Sequence, residues 1–247
     1  MMYRIGICDD EEACRIKISE SIRNIALKND IEVKIIQYES GIQVMDCEKP
    51  DILILDIEME HIDGLEVHII SVNNECKELL LILGQTIPQE IKIHCVNLST
   101  KGEQEGQHFT FTREQEQCSQ CNYTDSLDEY LYEPNASLLK AGAFKSLSSA
   151  FPIRKLHPNS HLYTSDTLID NFPGRIFRIV NQCSFNKKES KECLADLKKA
   201  NITIRNFPAT VAELRKRIKL SEGGDTYLFA STLNNEQKVL IRCEKIK

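Results

Sequence analysis

The sequence predicts an α/β chain: a partial doubly wound sheet at the amino end, followed by a small α+β domain. Three observations carry this expectation. Strand and helix patterns alternate over residues 3–56. Residues 52–55 form a continuous apolar run bounded by Asp51 and Asp56, as in a strand buried on both faces of a parallel sheet. Beyond residue 130 the texture changes to short strands and helices separated by turn residues. At 247 residues the chain can build two cores, and 41% hydrophobic with 28% charged residues is the balance of a water-soluble globular protein.

The elements follow in order. Residues 3–8 alternate and run into Asp9-Asp10-Glu11-Glu12, a strand delivering carboxylates to its carboxyl end. Residues 11–28 have helical spacing, with Ile18, Ile22, Ile25 and Ala26 on one face. A second strand spans 33–38, a short helix 42–47 ends before Pro50, and a third strand spans 51–56. Residues 67–72 read as a strand and 74–83 as a helix running out of it. After Pro88, residues 91–98 form another strand. Residues 99–129 are rich in Gln, Glu and Ser, with a short strand at 109–112 in a polar hairpin and loop. A short helix is expected over 140–151, a strand over 176–180, a helix over 186–201 and a strand over 202–207. Pro208 is placed to open a helix whose Val211, Leu214 and Ile218 share one face. Gly223-Gly224 and Asn234-Asn235 turn the chain into strands 226–231 and 238–243, a terminal hairpin.

Charge is distributed unevenly. Residues 1–68 carry seven Lys and Arg against sixteen Asp and Glu, residues 69–139 four against eleven, and residues 140–247 twenty against ten. An acidic phosphoryl or metal site at one end and an anionic partner at the other would produce this pattern. No apolar stretch approaches the roughly 20 residues that span a bilayer, and the start lacks the marks of a signal peptide, so no membrane partner and a cytoplasmic location are expected. The ten cysteines then read as thiols. Cys118 and Cys121 are the one close pair and read as part of a polar loop, as His157 and His161 do around Pro158.

In a doubly wound layout ligands gather at the carboxyl ends of the strands, here at Asp9, Asp10 and Asp56. Three carboxylates meeting there call for a hard divalent cation such as magnesium, and one of them could then form an aspartyl phosphate. The runs Ile7-Cys8-Asp9-Asp10-Glu11, Leu53-Ile54-Leu55-Asp56-Ile57-Glu58-Met59 and Ile62-Asp63-Gly64-Leu65-Glu66 resemble a bacterial response-regulator receiver domain of the LytTR class. That resemblance covers residues 1–67 and implies Asp56 as phosphoacceptor, Asp9, Asp10 and Asp56 as magnesium carboxylates, the Glu58 carbonyl as a further metal ligand and a histidine kinase as partner. The family's later hydroxyl and lysine have no counterpart, so the segment reads as a truncated, relic receiver.

A second resemblance covers residues 68–247. The run from Ser71 to Leu80 is similar to the late strand and helix of a bacterial class I S-adenosylmethionine-dependent methyltransferase, a Rossmann-like fold. Tyr132-Glu133-Pro134-Asn135, Lys140-Ala141-Gly142-Ala143-Phe144 and His157-Pro158-Asn159-Ser160-His161-Leu162-Tyr163 continue it. Phe172-Pro173-Gly174-Arg175, Arg205-Asn206-Phe207-Pro208 and Leu214-Arg215-Lys216-Arg217 are similar to the THUMP-like domain that closes such enzymes. The expected segments are thus 1–67, receiver-like; 68–130, late methyltransferase strands and a polar loop; and 131–247, THUMP-like. The resemblance implies an RNA partner. Its positive field gathers Lys155, Arg175, Arg205, Arg215, Lys216, Arg217 and Lys219. S-adenosylmethionine is the parent family's cofactor, but no G-x-G turn exists in this chain to hold it, and methyl transfer by the chain alone is not expected. Three readings result: an RNA-binding, substrate-recognition module fused to a truncated receiver; a signalling protein phosphorylated at Asp56; and a chimera without function.

Overall fold

The alternating residues at the amino end form the central strand of a parallel sheet, as the pattern requires. The computed structural model describes residues 2–40, 43–44, 50–55, 65–83, 90–100 and 106–246, in two units: Met1–Val67 with Leu81–Lys92, and His68–Leu80 with Ile93–Lys247. In the first unit, β1 (Met2–Cys8) lies between β2 (Glu32–Tyr38) and β3 (Ile52–Leu55), both parallel to it. Ile5, Ile7, Cys8 and Tyr38 are its buried side chains. Helix α1 (Glu12–Lys28) connects β1 to β2, the crossover that parallel strands need. Its buried line is Arg15, Ser19 and Ala26, whereas Ile25, expected inward, is exposed. The helix has rolled to bury Arg15, which donates to the backbone oxygens of Asp9 (2.7 Å) and Asp10 (3.1 Å). The expected helix 42–47 falls almost wholly outside the described residues.

Of residues 74–83, expected as a helix, Glu75–Leu83 are strand. β4 (Leu65–Val72) and β5 (Glu75–Leu83) are neighbours in a sheet of order β5-β4-β6-β7, with β6 at Lys92–Leu98 and β7 at Gln107–Thr112. The cause lies in two residues. Asn73 and Asn74 both adopt left-handed backbone, φ 52° and 64°, the combination that a two-residue hairpin turn demands and that asparagine tolerates. Asn73 is tied to Thr100 through its amide (2.8 Å), and the Asn74 side-chain oxygen accepts from the Ala136 N–H (2.8 Å). The likeness of this run to a methyltransferase strand and helix is therefore corrected to a hairpin.

The second unit is built on a seven-stranded sheet of order β12-β13-β14-β11-β8-β10-β9. Its strands are β8 (Tyr130–Pro134), β9 (Arg154–Lys155), β10 (Tyr163–Ser165), β11 (Gly174–Ser184), β12 (Asn201–Arg205), β13 (Thr226–Thr232) and β14 (Lys238–Lys245). Only β12 and β13 pair in parallel. β11 holds the sheet together: residues 174–178 pair with β8, and residues 177–184 pair with β14 past a bulge at Val180. Aromatic residues fill one core, where Tyr132, Tyr163 and Phe172 pack with Leu138, Leu147 and Phe111; another joins Phe177 and Phe229 to Leu131, Leu162 and Ile241.

Helix α2 (Arg113–Cys118) carries a capping box between Thr112 and Gln115. The helix expected over 140–151 is two, α3 (Ala136–Ala141) and α4 (Lys145–Ala150), parted at Gly142, whose φ of 77° ends α3. Glu116 of α2 accepts from the backbone N–H groups of Phe144, Lys145 and Ser146, so a distant carboxylate caps α4. α5 (Lys187–Cys193) ends earlier than expected, because Asp196 is drawn off to pair with both Arg242 guanidinium nitrogens (2.8 and 2.9 Å) while Leu194 and Ala200 are buried. α6 (Val211–Ile218) starts after Pro208, not at it. Thr210 and Glu213 form its capping box, a T-x-x-E signal the sequence already holds.

Candidate nucleic-acid interface

Of the expected metal carboxylates, Asp9 and Asp10 follow β1. The buried Asp9 accepts from the Glu11 N–H (2.9 Å), and Asp10 is exposed. Asp56 and Glu58 lie outside the described residues. The Arg15 guanidinium already sits against the Asp9–Asp10 backbone and pairs with Glu39 (3.4 Å), supplying one positive charge beside the carboxylates.

A second polar cluster forms where the 157–161 loop meets the ends of β8, β11 and β12. Its centre is Glu133, 1% exposed, a residue that sequence reasoning did not single out. Arg175, directly across from it on β11, donates through Nε (2.7 Å), and Arg205 from the end of β12 donates through Nη2 (2.9 Å). Arg175 also lies over the Phe177 ring. Both arginines, expected to be free for RNA, are held by one carboxylate. Lys155 requires a firmer correction: at 2% exposure it is no surface contact, its Nζ donates to the Pro158 carbonyl (2.6 Å) and lies 5.0 Å from the centre of the Phe144 ring. Burial lowers its pKa. His161 stacks on Phe144 at 3.7 Å and adopts φ 52°, a strained conformation for a histidine. Burial first, then the charges of Lys155 and Arg205, push its ring down to about 4. His157 accepts at Nδ1 from the Asn159 N–H (3.0 Å) and so carries its proton on Nε2, facing Glu236 (2.9 Å). This hydrogen bond lowers the Glu236 pKa. His157 Nδ1 also faces the Asn206 amide nitrogen (2.9 Å), and Cys121 meets Ser148.

The third arrangement is the carboxyl end of α6. Leu214 is buried, whereas Lys216, Arg217 and Lys219 are exposed, as helical spacing predicts. Arg215 is half-buried and donates to the Ala200 carbonyl (3.3 Å). Arg217 lies 3.9 Å over the Phe185 ring, which fixes its direction. A bridge pairs Lys199 with Ser221, bringing the exposed Lys198 and Lys199 beside this end. Five cations thus share one patch where the helix dipole is negative. Lys219 ends the helix in left-handed backbone at φ 58°. Lys219→Gly is therefore expected to raise stability by about 0.5–1 kcal/mol, read as a higher urea midpoint at unchanged slope; a lower midpoint would show that the lysine side chain contributes packing that outweighs the strain.

The comparisons with known proteins fall on this unit. Residues 130–173 match a ferredoxin-like domain family. Residues 174–245 match the THUMP domain-like family. The patch on α6 and the arginines on Glu133 all fall within the second match, except Glu133 itself, which lies in the first. The fold is also similar to the crystal structure of a candidate methyltransferase from Porphyromonas gingivalis W83, at 26% identity and a TM-score of 0.68, over 99% of this chain and 77% of the other. No curated protein matches the chain. The THUMP-like expectation for residues 131–247 has its match over residues 174–245, residues 130–173 matching the ferredoxin-like family instead, and the mixed α/β class holds. The receiver resemblance of residues 1–67 gains no support from these matches, and neither do the kinase partner and phosphorelay role it implied. Among the described residues no helix is long and apolar enough to cross a membrane.

Proposed function

We propose that residues 131–247 form an RNA-recognition module derived from a methyltransferase. The observation that carries this reading is the exposed group Lys198, Lys199, Lys216, Arg217 and Lys219 on one face of the segment matching the THUMP domain-like family. Phosphates supply most sequence-independent affinity for nucleic acid, and among the described residues none of these five cations is ion-paired with a carboxylate. The likeness to the candidate methyltransferase supports the derivation. The sequence lacks the Gly-rich turn that would hold S-adenosylmethionine, so recognition rather than methyl transfer is the activity proposed for this chain.

The test is binding to a structured RNA across a salt series. Lys216→Gln, Arg217→Gln and Lys219→Gln together should weaken binding by about 1–3 kcal/mol and lower the salt slope by about 3, near one unit per lost phosphate contact. Stability should fall by no more than about 1 kcal/mol, the share of the Arg217 contact with Phe185, because Lys216 and Lys219 are exposed and Leu214 itself is unchanged. Binding that ignores salt, or a triple variant that binds like the parent, would sink the proposal.

A further inference from the structure

Two histidines meet across neighbouring strands. His68 lies on β4 and His94 on β6, which are adjacent in the β5-β4-β6-β7 sheet. Side chains alternate along a strand, so Val67, Ile69 and Cys95 are buried on one face while His68 and His94 stay half-buried on the other. Their rings stack with centroids 4.5 Å apart and planes 17° from parallel. Glu66 comes two residues before His68 on β4, hence on the same face, and is exposed. One ligand atom from each of the three, two imidazole nitrogens and a carboxylate oxygen, lies within 4.8 Å of the other two. Thr110 on β7 sets the direction of one ring, its hydroxyl meeting His94 Nδ1 at 3.0 Å.

We propose that Glu66, His68 and His94 bind one divalent transition ion, zinc by preference. Two imidazoles and one carboxylate are a donor set that zinc takes in sites with an open position. Magnesium, which wants oxygen ligands, is poorly served by them. A tetrahedral zinc with ligands about 2.0–2.2 Å away sets those atoms roughly 3.4 Å apart. Closing from 4.8 Å therefore asks for at most about 1.4 Å of movement, within reach of an exposed glutamate and two half-buried rings. With Nδ1 protonated and donating to the Thr110 hydroxyl, His94 presents Nε2 to the metal. Such an outer hydrogen bond fixes both the tautomer and the ring direction of a ligating histidine. Three protein ligands leave a fourth position for water or an anion, and the bound ion ties β4 to β6. The site shares no residue with the α6 patch and stands apart from the RNA reading.

The probe is cobalt(II), titrated into the whole chain with its thiols kept reduced by a phosphine, and then displaced by zinc. Four-coordinate cobalt absorbs strongly in the visible, and a thiolate ligand adds a sulfur-to-cobalt band in the near ultraviolet, which separates this site from the cysteines. One equivalent should bind without the sulfur band. Zinc should displace it with a dissociation constant on the order of 1 µM, weaker than a closed four-ligand site, and a large excess of magnesium should not. His68→Gln and His94→Gln should each weaken binding about tenfold or more. Glu66 is exposed, so Glu66→Gln tests the site in a folded chain and should weaken binding about tenfold. Thr110→Val keeps the side-chain shape and removes the hydroxyl; it should weaken binding by about tenfold although Thr110 touches no metal. The Lys216, Arg217 and Lys219 triple variant should bind cobalt as the parent does. No cobalt binding, a sulfur band in the first equivalent, parental affinity in the folded Glu66→Gln or His94→Gln protein, or loss of binding in the α6 triple variant would each overturn the proposal.

Discussion

Glu133→Gln should cost about 3 kcal/mol of stability. The carboxylate is 1% exposed and binds Arg175 and Arg205 at once. A glutamine has almost the same shape, but it offers one acceptor and turns an N–H₂ toward the other guanidinium. Both arginines then keep their charge with no opposite partner. Their side chains are about one-third exposed, 31% and 35%, so water recovers part of the loss and the cost falls at the lower end of the range for broken buried pairs. The measurement is a urea melt, with the midpoint lowered and the slope unchanged. Arg205→Met added to Glu133→Gln should recover part of the loss, since it removes one stranded charge. A loss below about 1 kcal/mol, or strictly additive effects, would mean that the network does not hold the strand ends together.

Gly174→Ala should be nearly as damaging, for a steric reason rather than an electrical one. Gly174 pairs with Pro134 at the start of β11. A Cβ there would run into the Glu133 carbonyl oxygen and come within 2.7 Å of the Phe172 ring. The obstacle is backbone in a paired strand, which cannot rotate away as a side chain tip can. The expected cost is about 3 kcal/mol, at the upper end for forcing a methyl into a packed site. Because β8 must retreat, Glu133 should also lose its alignment with Arg175. A Gly174→Ala protein as stable as its parent would show that the two strands can part freely.

Much of the fold was legible because local signals and tertiary demands agree. The alternation of residues 3–8, the apolar run 52–55 and the Asn234-Asn235 turn each specify an element that forms. The failures are informative. Residues 75–83 hold enough Leu, Glu and Lys for a helix, but two asparagines in left-handed backbone decide for a hairpin, and propensity yields to the turn. β8, β9 and β10 are too short for a period to show, and each is a strand only through its neighbours. On the site, the exposed lysines of α6 could be read from helical spacing. The state of Lys155, Arg175 and Arg205 could not, since the carboxylate that holds two of them is distant in sequence from both: 42 residues from Arg175 and 72 from Arg205. A positive count along the chain says nothing of which charges are already paired.

β11 gives the matched segments a common fate. It begins at the residue where one family match ends and the other starts, and it is hydrogen-bonded to the first on one edge and to the second on the other. A boundary drawn by ancestry at 173/174 is therefore not a boundary in free energy. Strands that share a partner melt together, so the ferredoxin-like and THUMP-like segments should open as a single cooperative unit. Cutting the chain at that junction would leave two exposed sheet edges and no independent domain.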